Sequence, residues 1–141
     1  MFNLSKEVKI TKVAASGSAG TEVVTGAIDM QGFDGVFMMT TIATANAGNY
    51  LKGQHDDAVG LGTVADIAGS KVLSGTNGNV MFLDIYKPTK RYVQGSVIRA
   101  GANSVLGEIY IIQYKGIKSP VTNVRSGYVG TFLQEPASGT A

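Results

Sequence analysis

The stretch from Val80 to Pro120 limits what this chain can become. It reads VMFLDIYKPTKRYVQGSVIRAGANSVLGEIYIIQYKGIKSP. Three runs within it, Val80 to Tyr86, Tyr92 to Arg99 and Gly107 to Tyr114, are rich in Val, Ile, Tyr and Phe. Those residues suit a pleated, half-buried surface. The links between the runs, Lys87-Pro88-Thr89-Lys90 and Ala100-Gly101-Ala102-Asn103, are built from turn formers. The pattern predicts an antiparallel meander at the centre of a sheet. Nothing in it resembles a place where bonds are made or broken.

The rest of the chain repeats the theme in shorter pieces. Glu7 to Val13 alternates imperfectly and reads as a strand near an edge. Ala14 to Gly20 reads as a loop or hairpin connection, and Thr21 to Ile28 as a second strand. Met30 to Gly35 is a turn anchored by Phe33. Val36 to Thr44 is apolar on both faces at first, which suits a strand deep in a sandwich. Tyr50 to Gln54 is a short strand, and His55 to Gly62 a loop. Thr63 to Ala68 reads as one helical turn, capped by Thr63 with Asp66 as its partner and stopped at Gly69. Ser70 to Ser74 is a further strand, Asn77-Gly78 a tight turn, and Tyr128 to Leu133 a last strand.

The expected fold is therefore all-β: an antiparallel β-sandwich or jelly roll of eight to nine short strands, with at most one short helix. Residues 1–141 read as a single domain, with short arms at 1–6 and 134–141. At 141 residues the chain is long enough for a hydrophobic core.

Charged residues are only 16% of the chain against 44% apolar, where about a quarter charged is usual for soluble domains. Such a surface suits coverage by a partner. Charge is also uneven. Residues 1–70 hold four lysines against seven carboxylates, and residues 71–141 hold eight basic residues against three carboxylates. That asymmetry can orient docking but is too weak to indicate nucleic-acid binding. There is no cysteine, so neither disulfides nor thiolate metal sites enter. The start of the chain lacks a signal-peptide pattern, and no apolar run approaches membrane-spanning length. A soluble product made in a cell's cytoplasm, without a membrane partner, is expected.

Conventional chemistry finds few residues to use. His55 is the only histidine and precedes Asp56 and Asp57. Without a second His or any Cys, the trio reads as a solvated loop rather than a transition-metal site; a weak contact to a hard cation is left open. Gly60-Leu61-Gly62 lacks the third glycine of a dinucleotide loop, since position 65 is Ala. A serine nucleophile would have only His55 as base. No catalytic, cofactor-binding or metal residue is assigned, and no enzymatic activity is expected.

Lys87, Lys90, Arg91 and Arg99 form the densest basic cluster, with Tyr86 and Tyr92 interleaved. The preferred reading is packing or protein docking, with an arginine making a bidentate bond to a carboxylate of another subunit. Phe2 and Leu4 are apolar residues near the start of the chain with no place in the strand pattern. The interface candidates are accordingly Phe2, Leu4, Tyr86, Lys87, Lys90 and Arg91.

The run LDIYKPTKRYVQGSVIRAGANSVLGEIYIIQYKGIKSP, with YLKGQHDD and DIAGSKV upstream, resembles the C-terminal half of small structural proteins of tailed bacteriophages. These resemble capsid decoration, or cement, proteins. The resemblance covers roughly residues 50–120 and rests on an Asp-Ile-Tyr-x-Pro turn, then Arg-Tyr-Val, then a strand ending near Gln-Tyr. It implies a β-sandwich or jelly roll with no cofactor that sits on the outer capsid surface of the virion. It also implies the major capsid protein as partner, self-assembly as a homotrimer or homodimer, and stabilisation of the shell. The alternatives are another minor virion protein of the tail tube or head completion, or a carbohydrate- or receptor-binding β-sandwich module.

Overall fold

The runs expected to form one meander separate into two sheets. The computed structural model describes residues 4–117. One helical turn, α1 (Leu4–Glu7), precedes twelve strands. In order they are β1 (Lys9–Val13), β2 (Ser16–Ala19), β3 (Val23–Val24), β4 (Ile28–Asp29), β5 (Phe33–Thr41) and β6 (Asn49–Asp56). There follow β7 (Ala65–Asp66), β8 (Val72–Leu73), β9 (Val80–Tyr86), β10 (Tyr92–Arg99), β11 (Ser104–Leu106) and β12 (Ile109–Gly116).

A four-stranded sheet has the order β1-β12-β5-β9. A six-stranded sheet runs β3-β10-β6-β7, with β4 also pairing β10 and β8 also pairing β6. The small pair β11-β2 makes a third element, joined to the end of β5 by a bridge from Leu106 to Ile42. Every pairing is antiparallel. The fold is an all-β sandwich.

The expected meander fails in the pairing of its runs. β9 and β12 both pair with β5, and β10 crosses to the other sheet to pair with β6. Each run is apolar enough to bury one face, and successive strands of a sandwich need not be neighbours. Adjacency of three β-rich runs in sequence therefore says nothing about which edges meet.

Between the sheets lies one core. Val36 and Met38 of β5, Met81 and Ile85 of β9, and Ile109 and Ile111 of β12 meet Leu51 of β6 and Val93 and Val97 of β10. Burial of each such side chain contributes roughly 1.5–3 kcal/mol. Gly53 and Gly95 stand opposite one another on β6 and β10. A Cβ at Gly95 would lie 2.7 Å from Met38 Sδ, and one at Gly53 would lie 3.0 Å from Ile85 Cδ1. The glycine pair makes room for the large side chains of the facing sheet.

Other local expectations change. The strand expected over Thr21 to Ile28 is two two-residue pieces, broken around Gly26, whose φ is +73°. The loop expected at 14–20 holds β2. The helical turn expected at Thr63 to Ala68 is absent: Ala65–Asp66 pairs with β6, and Thr63 serves a different carboxylate, that of Asp56. Ile67 to Ser70 instead forms a tight turn closed by Ser70 N–H donating to the Ile67 carbonyl, with Gly69 at φ +77°. The strand expected at Tyr128 to Leu133 and the arm at 134–141 lie outside the described residues.

Candidate docking surface

Strand alternation fixes what the four-stranded sheet shows to the outside. On β5, Val36, Met38 and Thr40 are buried, so Phe37, Met39 and Thr41 point outward. Register then builds rows across the sheet. Ile10, Ile112, Phe37 and Asp84 form one row, and Lys12, Tyr110, Met39 and Phe82 form the next. Tyr114 and Tyr86 flank Gly35 in a third. This outer face is mostly apolar and aromatic. Phe37 and Phe82 stack with ring centroids 5.5 Å apart, yet Phe82 is 57% exposed.

Two polar devices tie the strands of this face together. The Tyr114 ring lies over Gly35 so closely that a Cβ there would overlap it. Its hydroxyl donates to Asp84 Oδ1 at 2.5 Å. Burial, and then this bond to Asp84, pushes the Tyr114 phenol up to about 12. At the opposite edge Lys12 Nζ donates to Glu108 Oε1 at 2.5 Å, and Tyr110 also donates to Glu108. Helix α1 folds against one side. Leu4 and Val8 join Phe37, Ile112 and Tyr114 around an apolar groove of about 460 Å³, with Asp84 and Lys115 at its rim.

The six-stranded sheet presents a different outer face. Gln94 Nε2 donates to Gln54 Oε1 at 2.7 Å, and Gln54 Nε2 to Asp66 Oδ1 at 2.8 Å. Lys52 Nζ donates to both Asp66 oxygens. Lys52 first, then Gln54, holds the Asp66 carboxyl below its usual range. Ser96 donates to Glu22, and Lys71 Nζ sits 4.2 Å from the centroid of the Tyr50 ring.

The sequence candidates fall in three places. Phe2 lies outside the described residues. Leu4 is 59% exposed on α1 and lines the apolar groove. Tyr86 ends β9, with Lys115 Nζ 4.8 Å and Lys87 Nζ 5.5 Å from its ring centroid. Lys87, Lys90 and Arg91 line a separate open hollow of about 470 Å³ with Phe33 and Asp34. Two of these cations already have carboxylates within the chain. Arg91 forks onto Asp29, Nε to Oδ1 at 3.0 Å and Nη2 to Oδ2 at 2.8 Å, and also reaches Gln31. The bidentate acceptor expected from another subunit is thus supplied by this chain. Lys90 pairs with Asp57 at 2.6 Å.

Arg99 does not belong to that basic surface. It is 1% exposed, and its donors reach the carbonyls of Gly17, Thr21 and Ser104 and the hydroxyls of Ser16 and Thr21. It pins β2 and the chain around Thr21 to the end of β10.

The solvated loop expected at His55, Asp56 and Asp57 is also revised. His55 and Asp56 are the last residues of β6, and Asp56 is 2% exposed. Its carboxylate accepts from the backbone N–H groups of Asp57, Ala58 and Thr63 and from the Thr63 hydroxyl. Those bonds, the Thr63 N–H foremost, hold its carboxyl below the usual range. Asp56 is the tie that closes the 57–63 loop. Among the described residues, no cluster of three His, Cys, Asp or Glu could hold a metal ion.

What sequence reasoning missed is the outer aromatic face: Phe37, Phe82, Tyr110, Ile112 and Tyr114. The signal lay in strands apolar in both phases, VMFLDIY and IYIIQY. Double-sided apolarity signals cover on both faces, and within residues 4–117 the outer face finds it only in part, from α1.

No family model matches this chain, and no curated protein matches it by sequence. Solved structures do match by fold. The PBSX exported protein XepA is similar with a TM-score of 0.59 at 17% identity, over 94% of this chain and 46% of XepA. The chain thus spans just under half the length of XepA. The SPBc2 prophage-derived protein YomS gives a TM-score of 0.43 at 13% identity, over 74% of this chain and 94% of YomS. The PRD1 vertex protein P5 gives 0.41 at 14% identity, over 78% of this chain and 98% of P5. At these identities the likeness concerns the fold, and XepA carries it.

Proposed function

We propose that this chain is a phage structural protein. In this reading it binds the outer surface of a capsid and stabilises the shell by bridging major capsid proteins. The observation that carries the reading is the apolar face of the four-stranded sheet, which among the described residues α1 covers only in part. A face holding Phe37, Met39, Phe82, Tyr110 and Ile112 costs free energy while it stays in water, and such patches mark interaction sites. The sequence resemblance to decoration proteins supports the same reading, and the all-β fold it implies is shared with the PBSX exported protein XepA. Binding at many shell sites stabilises the shell by mass action and requires no chemistry from the protein, so the chain acts as a binder and not as an enzyme.

The test is co-sedimentation of the purified chain with phage heads that lack it, followed by heating of those heads. Bound protein and heads that survive a higher temperature are expected. A folded chain that neither sediments with heads nor protects them removes the reading.

One observation favours a second reading. Exposed Phe82, Tyr86 and Tyr110 provide the aromatic platform that a carbohydrate-binding module needs. Glycan-array binding that is lost in Phe82→Ala and Tyr110→Ala would move the assignment there.

A further inference from the structure

The two sheets treat their edges differently. The six-stranded sheet ends in β3, β4, β7 and β8, each two residues long. Very short edge strands are a standard protection against pairing with another chain. β9 is also an edge, paired among the described residues only with β5, but it is seven residues long. It contains no proline and no lysine, and its ladder with β5 runs without a bulge from Tyr86 to Val80. Its outward side chains Val80, Phe82 and Tyr86 are all more than half exposed. Of the devices that blunt an edge it carries only a single charge, Asp84, whose carboxylate already accepts from Tyr114.

We infer that β9 pairs antiparallel with β9 of a second copy about a two-fold axis, joining two four-stranded sheets into one of eight strands. The strand fits itself. The register that uses its whole length centres on the midpoint, Leu83, and keeps every outward residue on the outer face. Val80 then faces Tyr86 of the other copy, and Phe82 faces Asp84. The strand's only charge therefore lies directly opposite an aromatic ring, and its duplicate stands on the diagonal rather than in the directly opposed position where like charges destabilise pairs. The two Phe82 rings become diagonal neighbours, within reach of aromatic side chains. Each already stacks on Phe37, so the aromatic strip becomes continuous across the axis. An isologous contact of this kind closes at two copies. It also doubles the apolar outer face available for docking.

The test uses the full chain in solution and does not involve phage heads, so its failure is separate from failure of the shell-binding reading. Light scattering coupled to size exclusion is expected to show a dimer. Phe82→Lys is expected to raise the dimer dissociation constant at least tenfold, because an edge lysine opposes pairing, while Phe82→Leu leaves a dimer. Thermal melting by circular dichroism checks that each variant folds; Val80→Lys serves if Phe82→Lys does not fold. Because the chain has no cysteine, Phe82→Cys and Asp84→Cys can be combined in one chain, which is expected to form a covalent dimer on mild oxidation. Val105→Cys, at the exposed position of β11, gives none. A wild-type monomer up to about 0.1 mM, weaker than most specific contacts, overturns the inference. So does a trimer, or a dimer indifferent to the lysine substitutions.

Discussion

The outer faces of the two sheets are made by the same alternation and finish in opposite states. On the six-stranded sheet, Gln94, Gln54, Asp66 and Lys52 satisfy one another in a chain of hydrogen bonds. On the four-stranded sheet, Phe37, Met39, Phe82, Tyr110 and Ile112 occupy the equivalent positions. The first face is complete in water. The second is complete only when something covers it. Substitutions on the polar side should therefore weaken the folded monomer, and substitutions on the apolar side should weaken association.

The largest expected loss is at Arg99. Arg99→Met removes the donors to the Gly17, Thr21 and Ser104 carbonyls at a site closed to water. Each buried acceptor left without a partner costs about 1–3 kcal/mol, so the total should exceed ~3 kcal/mol. Urea unfolding measures it. A loss below ~1 kcal/mol would mean water replaces the guanidinium at the end of β10.

Acid acts on both sides, since Lys12 and then Tyr110 hold the Glu108 carboxyl of the four-stranded side below its usual range, but more of the depressed carboxyls lie on the other. Asp56, Asp66 and Asp29 serve the six-stranded side, and each carboxyl is held below its unfolded value near 3.8. The foremost cause is the Thr63 N–H for Asp56, Lys52 for Asp66 and Arg91 for Asp29. A depressed folded value gives stability that is present above the unfolded value and is lost as pH falls through the folded one. Unfolding free energy should therefore decline as pH drops below about 4. Asp56→Asn should flatten that decline and lower stability at neutral pH, with denaturant titrations across pH as the measurement. An unchanged acid limb would remove Asp56 from the account. Tyr114 acts at the other extreme. Its folded value of about 12 lies above the unfolded 10.0. Its contribution is present below about pH 10 and is lost as pH rises toward about 12, and Tyr114→Phe should remove that alkaline dependence.

Gln94→Ala is expected to cost less, about 1–2 kcal/mol, because Gln54 Oε1 loses its donor at a buried position. Gln54→Leu and Gln94→Leu together should restore part of that loss, since replacing both partners leaves no orphaned group. Greater loss in the double variant than in the single one would show that the polar face depends on more than this pair.

The β character and the strand positions are legible in the sequence because they depend on local propensity and turn chemistry. Asn49–Asp56, Val80–Tyr86 and Tyr92–Arg99 all stand near where the residue pattern puts strands. Pairing is not legible. β10 leaves its sequence neighbours for β6 because Gly95 must sit opposite Gly53 to admit Met38 and Ile85, a condition met only in three dimensions. The burial of Asp56 is hidden for the same reason, since its partner Thr63 reaches it through a loop. Of the candidate interface residues, Leu4 and Tyr86 border the apolar face. Arg91 resists a reading from sequence because its carboxylate, on Asp29, is distant along the chain. The aromatic face itself is written in the double-phase apolarity of Val36 to Thr41. Depth within a sandwich and an outer face awaiting a partner leave the same sequence pattern.

The smallest expected effect on the monomer is at Phe82, and it separates the two faces most sharply. Phe82 is 57% exposed, so little of its area is removed from water by folding. Phe82→Thr introduces a β-branched residue suited to a strand and removes the stack on Phe37. Such a stack contributes about 0.5–1.5 kcal/mol, so unfolding free energy should fall by no more than about 1 kcal/mol. Retention on a hydrophobic matrix, which reads the exposed face directly, should fall clearly in the same variant. A loss of several kcal/mol with retention unchanged would reverse the assignment. Phe82 would then belong to a second core, closed over by chain beyond residue 117, and the four-stranded sheet would be as complete in water as the six-stranded one.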